Sequence, residues 1–504
     1  LLEAKSMLYC STRGDKQLYT AARAVLRGLA RDGGLFVPSD PLPTIALEPL
    51  ASLGYIERAA AIIQPFLEEF SFAEIETMLQ RAYGGANFSH PSIAPLHRLN
   101  DDLFLLELWH GPTSAFKDMA LQFLPQLLTG AAAKTGENAT PVILTATSGD
   151  TGKAALEGFC DVPGTRVIVF YPEEGVSIIQ QRQMATQEGS NVHVAAVRGN
   201  FDDAQAGVKA LFADRALADE LSRRGFKLSS ANSINWGRLL PQIVYYFSAY
   251  LDLQNSGLIN HGEKINFVVP TGNFGNILAA YYAARMGLPV KKLICAANRN
   301  NVLTEFFNTG LYNRNRPFYR TISPSMDILV SSNLERLLFE LAGRNPAQVK
   351  EWIRFLQEKG AYRVEHDTVK VMAEMFWSGW ADDDETIAAI RNTYGEYRYL
   401  LDPHTAVGKA VHEKYRALTG DHAKTVIAAT ASPFKFAESV ARAVLPPAQI
   451  AGRSAFELLP LLAQSTGMSI PAPLQKLDRL PVRHRTVINK NEIRRGVLDF
   501  LGLN

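Results

Sequence analysis

The sequence predicts an α/β fold built on parallel sheets, and three observations carry that reading. From Pro141 onward, short β-branched runs alternate strictly with amphipathic helical patterns. Several strand-to-helix junctions hold glycine and hydroxyl residues, as the ligand-binding loops of such sheets do. The chain has 504 residues, 47% of them hydrophobic and 20% charged, which describes an ordinary globular protein too long for one core.

The elements follow in order. The six residues before Met7 are set aside as an appended segment. Residues 7–97 are mainly helical, with helix-like apolar spacing at 18–29 and 71–83. The stretch 28–38 between them, with paired Gly33 and Gly34 and then Pro38, marks a sharp turn. No catalytic cluster stands out here, and 1–97 reads as an N-terminal helical domain packed on the rest. An apolar run at 103–108 reads as a buried strand that breaks at Gly111-Pro112. A helix begins after it, with Thr113 or Ser114 as the expected cap and Lys117 in or near the first turn. Cations avoid helix N-termini, so an amine there, flanked by Phe116 and Met119, would have a depressed pKa and become a nucleophile. Taken alone, a snorkelling surface lysine explains this stretch better.

Residues 98–140 are expected to open a large domain, and 141–230 to form a small α/β domain. The small one has strands at 142–146, 166–171 and 192–197. Its helices are expected at 151–159 and 177–188, with one long helix at 201–224. The large domain resumes over 231–446. It has a helix at 235–253, a strand at 265–270, a helix at 274–286 and a strand at 291–297. Further helices run to Trp380, then come a solvated acidic helix start at 380–385, a strand at 425–430 and a helix from about Phe434. Beyond Pro446-Pro447 the pattern loosens, and 447–504 reads as a C-terminal tail.

Composition narrows the function. A net charge of +2 without a dense basic run argues against a nucleic-acid partner. No apolar run reaches the ~18 residues of a membrane span. Cys10, Cys160 and Cys295 are odd in number and far apart, so a reducing, cytoplasmic setting is expected. The histidines and cysteines lack metal-ligand spacing, and no Gly-x-Ser-x-Gly elbow supports a hydrolase.

Three junctions remain as sites. The loop 145–153 offers Ser148, Asp150 and Thr151 at a helix N-terminus, suited to a carboxylate or phosphate; a plain capping loop would look the same. The loop 270–276 contains Gly272, Asn273, Phe274, Gly275 and Asn276. Its glycines let the backbone approach a phosphate, and successive N–H groups can form an anion nest. It matches neither the Walker nor the dinucleotide fingerprint. The junction 428–436 points the Thr430 hydroxyl into the same cleft. Between these, Arg238 lies one turn into a helix and can clamp an anion, although a structural ion pair is at least as common. A lysine, a phosphate loop, a second anion loop and a hydroxyl together fit a lysine Schiff base with pyridoxal phosphate.

These motifs also carry a resemblance. Ser11-Thr12-Arg13-Gly14, the 28–38 turn, His110-Gly111-Pro112-Thr113, Phe116-Lys117-Asp118 and 147–152 occur in the order found in one family. Asn232-Ser233-Ile234-Asn235-Trp236 and 272–276 complete the order. From Met7 to about Leu445 the chain resembles the threonine synthases, of the tryptophan-synthase-β-like class. The resemblance implies two parallel-sheet α/β domains of fold-type-II pyridoxal-phosphate enzymes with a mainly helical N-terminal domain. It implies pyridoxal 5′-phosphate on Lys117, its phosphate on Gly272, Asn273, Phe274 and Asn276, and its pyridine nitrogen on Thr430. Thr113, Ser148, Asp150, Thr151, Asn235 and Arg238 are then expected to contact the substrate. The implied reaction converts O-phospho-L-homoserine and water to L-threonine and phosphate, in a cytoplasmic monomer or homodimer. A hydroxyl at the pyridine nitrogen makes the ring a weaker electron sink than a carboxylate would.

One departure matters. The family usually reads Thr-Ala-His-Pro-Ala-Lys-Phe where this chain has Thr430-Ala431-Ser432-Pro433-Phe434-Lys435-Phe436. Ser432 is expected to replace an aromatic base beside the ring, putting control of water addition in doubt. One alternative is therefore a phospho-lyase that yields 2-oxobutyrate from the same substrate; a different one is a non-catalytic relative that binds the cofactor, against which the intact Lys117 argues.

Overall fold

The computed structural model describes residues 7–174, 176–199 and 201–503. The leading six residues, expected to be an appended segment, lie outside the described residues.

Two sheets organise the chain. The larger has six strands in the order Phe376–Trp380, Val290–Ala297, Ile265–Pro270, Thr425–Ala429, Leu103–Glu107 and Leu96–Arg98. All neighbours are parallel except the last pair, where Leu96–Arg98 runs antiparallel to Leu103–Glu107. The central strands are mostly apolar, as strands covered by helices on both faces must be; Ile265–Pro270 is buried at every residue, Asn266 included, and the lysines of Val290–Ala297 lie near its N-terminal end. The smaller sheet is fully parallel, in the order Thr486–Asn489, Val192–Arg198, Arg166–Pro172, Thr140–Ala146 and Phe226–Ser230.

This arrangement corrects several expectations. The segment after Pro446 is not a loose tail. Thr486–Asn489 pairs in parallel with Val192–Arg198, and the helix Ile493–Phe500 buries Ile493, Val497 and Leu498 in the small-sheet core. The long helix expected at 201–224 is two, Phe201–Ala213 and Arg215–Arg223. Asp214 breaks it by capping the second, its side chain accepting from Leu217 N–H at 3.0 Å. Strands at Phe226–Ser230 and Phe376–Trp380 extend the sheets beyond the expected set.

The N-terminal region does not keep a core of its own. Its helices Ala21–Arg27, Tyr55–Ile63 and Phe72–Tyr83 share one hydrophobic cluster with the helix Trp236–Asn255 and one face of the large sheet. Buried Arg58 ties this region to that helix, donating to Asp252 at 2.6 Å and to Ser248 Oγ at 2.9 Å. The strand Leu96–Arg98 spans the boundary expected between residues 97 and 98.

The acidic stretch behaves as expected. Asp382 caps the helix Asp383–Tyr397 in a reciprocal pair with Glu385.

Candidate active site

The carboxyl ends of both sheets open on a cavity of about 920 Å³. The end of Leu103–Glu107 supplies the segment that carries Lys117. Ile265–Pro270 supplies the glycine loop, Thr425–Ala429 supplies Thr430, and Thr140–Ala146 supplies the Ser148 loop. This is where the free N–H groups of following helices collect in α/β sheets.

Backbone pairing sets the first two groups side by side. Phe116 N–H donates to the Thr430 carbonyl at 2.8 Å, and Ser432 N–H donates to the Ser114 carbonyl at 3.0 Å. Lys117 and Thr430 therefore line one wall of the cavity.

The helix start differs from the expectation. Lys117 itself occupies the cap position of the short helix Asp118–Leu121, and neither Thr113 nor Ser114 caps it. Ser114 has a left-handed backbone, φ +58°. Asp118 bonds backwards, accepting from Thr113 N–H at 2.9 Å and Thr113 Oγ1 at 2.6 Å. The loop from Gly111 is thereby closed on Asp118, and burial raises that carboxyl to about 6.

Lys117 is nearly enclosed, at 9% exposure. Burial lowers its pKa to about 8; Asp150 opposes the shift, while Lys435 and Arg238 add to it. Its Nζ stands 3.7 Å from Asp150 Oδ2 and over the Phe116 ring, 4.7 Å from the centroid. Asp150 is held elsewhere too. Buried Lys435 donates to Asp150 Oδ1 at 2.6 Å and to the Thr113 carbonyl at 2.8 Å, and Gln180 Nε2 reaches Oδ1 at 2.8 Å. Although burial acts against ionisation, these cations hold the Asp150 carboxyl well below the usual range.

The glycine loop lines the cavity with its carbonyls already engaged. Its carbonyls are tied outward: Ser331 Oγ donates to Gly272 O at 2.7 Å, and Asn333 donates to Asn273 O through N–H and Nδ2. Phe274 takes a left-handed turn, φ +66°, as the cap of the helix Gly275–Arg285. Such a conformation in a non-glycine residue is strained and concentrates at functional sites. Packing on Phe307 and Phe376 holds it. The helix start then leaves first-turn N–H groups without intrahelical partners.

Two side chains make the donor set explicit. Asn276 Oδ1 accepts from the hydroxyls of Tyr245 at 2.5 Å and Tyr246 at 2.6 Å, which turns its amide nitrogen the other way. That Nδ2 and Arg238 Nε are buried without a partner among the described residues, and both residues line the cavity. Burial lowers Arg238 to about 10, so it stays a cation at neutral pH. Unsatisfied buried donors are costly and mark a place for an acceptor. The donor chemistry fits a phosphate-bearing aldehyde cofactor beside an amine.

Ten of the expected site residues line this cavity: Lys117, Gly272, Asn273, Phe274, Asn276 and Thr430, with Ser148, Asp150, Thr151 and Arg238. Two expected substrate contacts do not. Asn235 is a buried helix cap, accepting from Gly237 N–H and donating to the Val25 carbonyl, each at 2.9 Å. Thr113 is committed to Asp118 and Lys435. Ser432 is also off the cavity; it is fully buried, and its hydroxyl accepts from Phe434 N–H at 3.4 Å.

Other groups were not singled out from the sequence. His404 and Ser325 line the cavity, with Ser325 N–H donating to His404 Nε2 at 3.1 Å and Asp402 holding His404 Nδ1 at 2.8 Å. The signal for this pair was a capping pattern, Asp402-Pro403, opening the helix Pro403–Thr419. Lys435 lies in the 428–436 junction, but its partner Asp150 is 285 residues away in sequence.

Comparison with known proteins places this geometry. Residues 8–83 match the family model described as threonine synthase N terminus, and residues 88–376 match the one described as pyridoxal-phosphate dependent enzyme. A threonine synthase of Pseudomonas aeruginosa is 43% identical over 442 residues, covering 87% of this chain and 90% of its own. This chain belongs to the threonine synthase family of pyridoxal-phosphate-dependent enzymes. The solved structure of a PLP-bound threonine synthase from Brucella melitensis superposes with a TM-score of 0.86 at 38% identity. It covers 98% of this chain and 99% of its own. The human protein threonine synthase-like 1 is 41% identical over 435 residues, which is 84% of this chain. The match spans only 58% of that relative's length. Membership in the family accounts for the fold-type-II layout of the two sheets.

Proposed function

We propose that this chain is a pyridoxal-phosphate-dependent lyase that converts O-phospho-L-homoserine and water to L-threonine and phosphate. The observation that carries the proposal is a single cavity. It joins a lysine whose pKa is lowered to about 8 to two groups of unpartnered donors, the 272–276 loop with Asn276 Nδ2 and the Arg238 guanidinium. One anion site serves a cofactor alone; two serve a cofactor and a substrate that each bear a phosphate.

When bound, the cofactor supplies an aldehyde for an amine and an electron sink for a carbanion. Lys117 is the residue that holds it. With a pKa of about 8, Lys117 is also partly free amine at neutral pH, so it serves as the base and acid that moves protons at the substrate's carbons. The 272–276 N–H groups and Asn276 Nδ2 bind the cofactor's phosphate. Thr430 accepts or donates at the ring nitrogen without adding a negative charge. Arg238, with the Ser148 and Thr151 hydroxyls, holds the substrate's anionic groups and stabilises phosphate as it departs. Arg27 and Arg31 also line the cavity and add positive charge that draws in a polyanionic substrate.

We assign the division of labour as follows. The large sheet, with 98–140 and 231–446, carries the cofactor groups, and the small α/β unit around 141–230 brings the Ser148 loop to them. The chain's three cysteines, Cys10, Cys160 and Cys295, are all free thiols, which supports a reducing, cytoplasmic setting. Among the described residues no helix is long and apolar enough to cross a membrane. The active form is a monomer or homodimer.

Product analysis on O-phosphohomoserine tests the proposal. Threonine and phosphate in equal amounts are expected. Mainly 2-oxobutyrate would support the phospho-lyase reading instead, and no turnover with a cofactor-coloured protein would support the non-catalytic one.

A further inference from the structure

Two lysines share one carboxylate in this site. Lys435 Nζ is fully enclosed and makes the short contact, 2.6 Å to Asp150 Oδ1, while also donating to the Thr113 carbonyl at 2.8 Å. Lys117 has the poorer share, 3.7 Å from Oδ2, and that oxygen also faces the Ser325 hydroxyl at 3.4 Å. Gln180 Nε2 occupies Oδ1 further, at 2.8 Å. Asp150 is thus anchored from the Lys435 side.

We propose that Lys435 is a positioning residue that keeps Asp150 from pairing fully with Lys117, and so keeps Lys117 available as a free amine. The inference rests on the reading that Lys117 is the amine that takes the cofactor. Two ammonium groups and one carboxylate in an enclosed space carry an excess positive charge, and losing one proton removes it. The lysine with the longer contact loses that proton most easily. Lys435 has a short ionic bond and a carbonyl to satisfy, so the proton leaves Lys117.

The other charged groups around Lys117 act in the same sense or are already engaged. Arg238, from the helix Trp236–Asn255, repels the ammonium. Asp118, next in sequence, spends both oxygens on Thr113. Glu157 is paired with Lys153 at 2.7 Å. His404, across the cavity, points Nδ1 at Asp402 and accepts from Ser325 N–H at Nε2. None of these supplies Lys117 with a competing counter-charge, which leaves Asp150 as the group whose sharing decides.

The test is the pH dependence of cofactor uptake by the cofactor-free full-length protein, followed by the visible absorbance that appears. Uptake consumes one free amine and one aldehyde and releases one water, so its rate follows the free-amine fraction. For the parent the rate should rise with pH to a midpoint near 8. In Lys435→Met, Asp150 turns its whole charge to Lys117. The midpoint should move up by about one pH unit or more, which is about tenfold slower uptake at pH 7. Lys435→Arg, which restores the cation, should keep the parental midpoint. Asp150→Asn removes the shared charge and should move the midpoint down, which provides the test even if the methionine variant does not fold.

A role in folding alone would lower stability without moving any midpoint. A folded Lys435→Met with the parental midpoint would overturn the proposal, as would an Asp150→Asn midpoint that stays put. Lys117→Ala separates the two readings. If it still takes up the cofactor to give a band that borohydride removes, the assignment of Lys117 fails. If it loses that band while the Lys435 and Asp150 variants leave the midpoint unmoved, only the role of Lys435 fails.

Discussion

The two glycines of the 272–276 loop make opposite demands, and alanine at each separates the loop's packing from its ligand role. A Cβ on Gly272 would lie 2.7 Å from the Ser325 carbonyl oxygen and 3.3 Å from Met326 Cα, both backbone atoms. Bringing the first contact to an ordinary 3.4 Å requires the turn Pro324–Met326 to retreat by the difference, 0.7 Å. That turn holds His404 and reaches Asp150, so it cannot move alone. Overpacking of this kind costs about 1–3 kcal/mol. A Cβ on Gly275 meets nothing closer than 3.5 Å, from Asn333 Nδ2, with Ser233 Cβ at 3.7 Å and Gln242 Nε2 at 3.9 Å. The protein accommodates it, and replacing a helical glycine by alanine contributes about 0.5–1 kcal/mol. Ser233 and Gln242 are cavity residues, however, so this methyl narrows the cavity. Calorimetry of the cofactor-free protein should show Gly272→Ala melting lower and Gly275→Ala at or above the parent. Cofactor titration should show weaker binding in both, about tenfold for a loss of about 1.4 kcal/mol. A Gly275→Ala variant with parental affinity would refute the loop as the phosphate site. A Gly272→Ala variant with an unchanged melting temperature would refute the steric argument.

Three further outcomes are expected. Holding Lys117 at about 8 instead of its ordinary 10.5 costs the cofactor-free fold about 3 kcal/mol below pH 8. The unfolded chain binds the extra proton between those values, so stability should climb as pH rises through that window. Lys117→Met should be more stable at pH 7 and lose that slope in urea unfolding, and an identical slope in both proteins would count against the buried amine. Thr430→Asp should shift the visible band of the loaded protein and raise side products, because a carboxylate stabilises a protonated ring nitrogen; an unchanged spectrum and product ratio would remove Thr430 from that position. Ser432→Ala should lose about 1 kcal/mol as a missing cap, with turnover and product ratio unaltered, and a rise in 2-oxobutyrate would return Ser432 to the chemistry.

What the sequence made legible was local. Ile265–Pro270 is an apolar run, interrupted only by Asn266, closed by a glycine loop, and both its ends fall where the pattern puts them. The loops at strand ends were legible for the same reason, since each is a contiguous stretch of turn and capping residues. The failures are of three physical kinds. Thr486–Asn489 is mostly exposed and is held by backbone pairing at a sheet edge, so it carries no buried alternation to read. The break at Asp214 is a capping event inside an uninterrupted apolar period, and the period outvoted the cap. Asn235 has the right residue type for a helix cap and acts as one, whereas the family resemblance implies a substrate contact there; only Arg238, one turn on, lines the cavity. Pairings such as Lys435 with Asp150 or Arg58 with Asp252 leave no mark at either position.

The Lys435–Asp150 pair also bears on how the two sheets meet. Asp150 opens the helix Asp150–Gly158, which follows a strand of the small sheet, whereas Lys435 and Lys117 follow strands of the large one. A fully buried ion pair is a weak source of net stability, because removing both charges from water costs about as much as their attraction returns. Breaking it, by contrast, strands a charge. The pair therefore contributes little to holding the fold together and much to fixing where the small sheet's anion loop stands relative to the lysine. Any displacement that separates Asp150 from Lys435 also changes the counter-charge felt by Lys117. The position of one sheet and the protonation of a residue on the other are thus set by the same carboxylate. Gln180 Nε2, from a helix that follows a strand of the small sheet, and Lys435 Nζ, after a strand of the large one, both bond the same oxygen. Oδ2 is left to Lys117 and Ser325, which is the side that opens on the cavity.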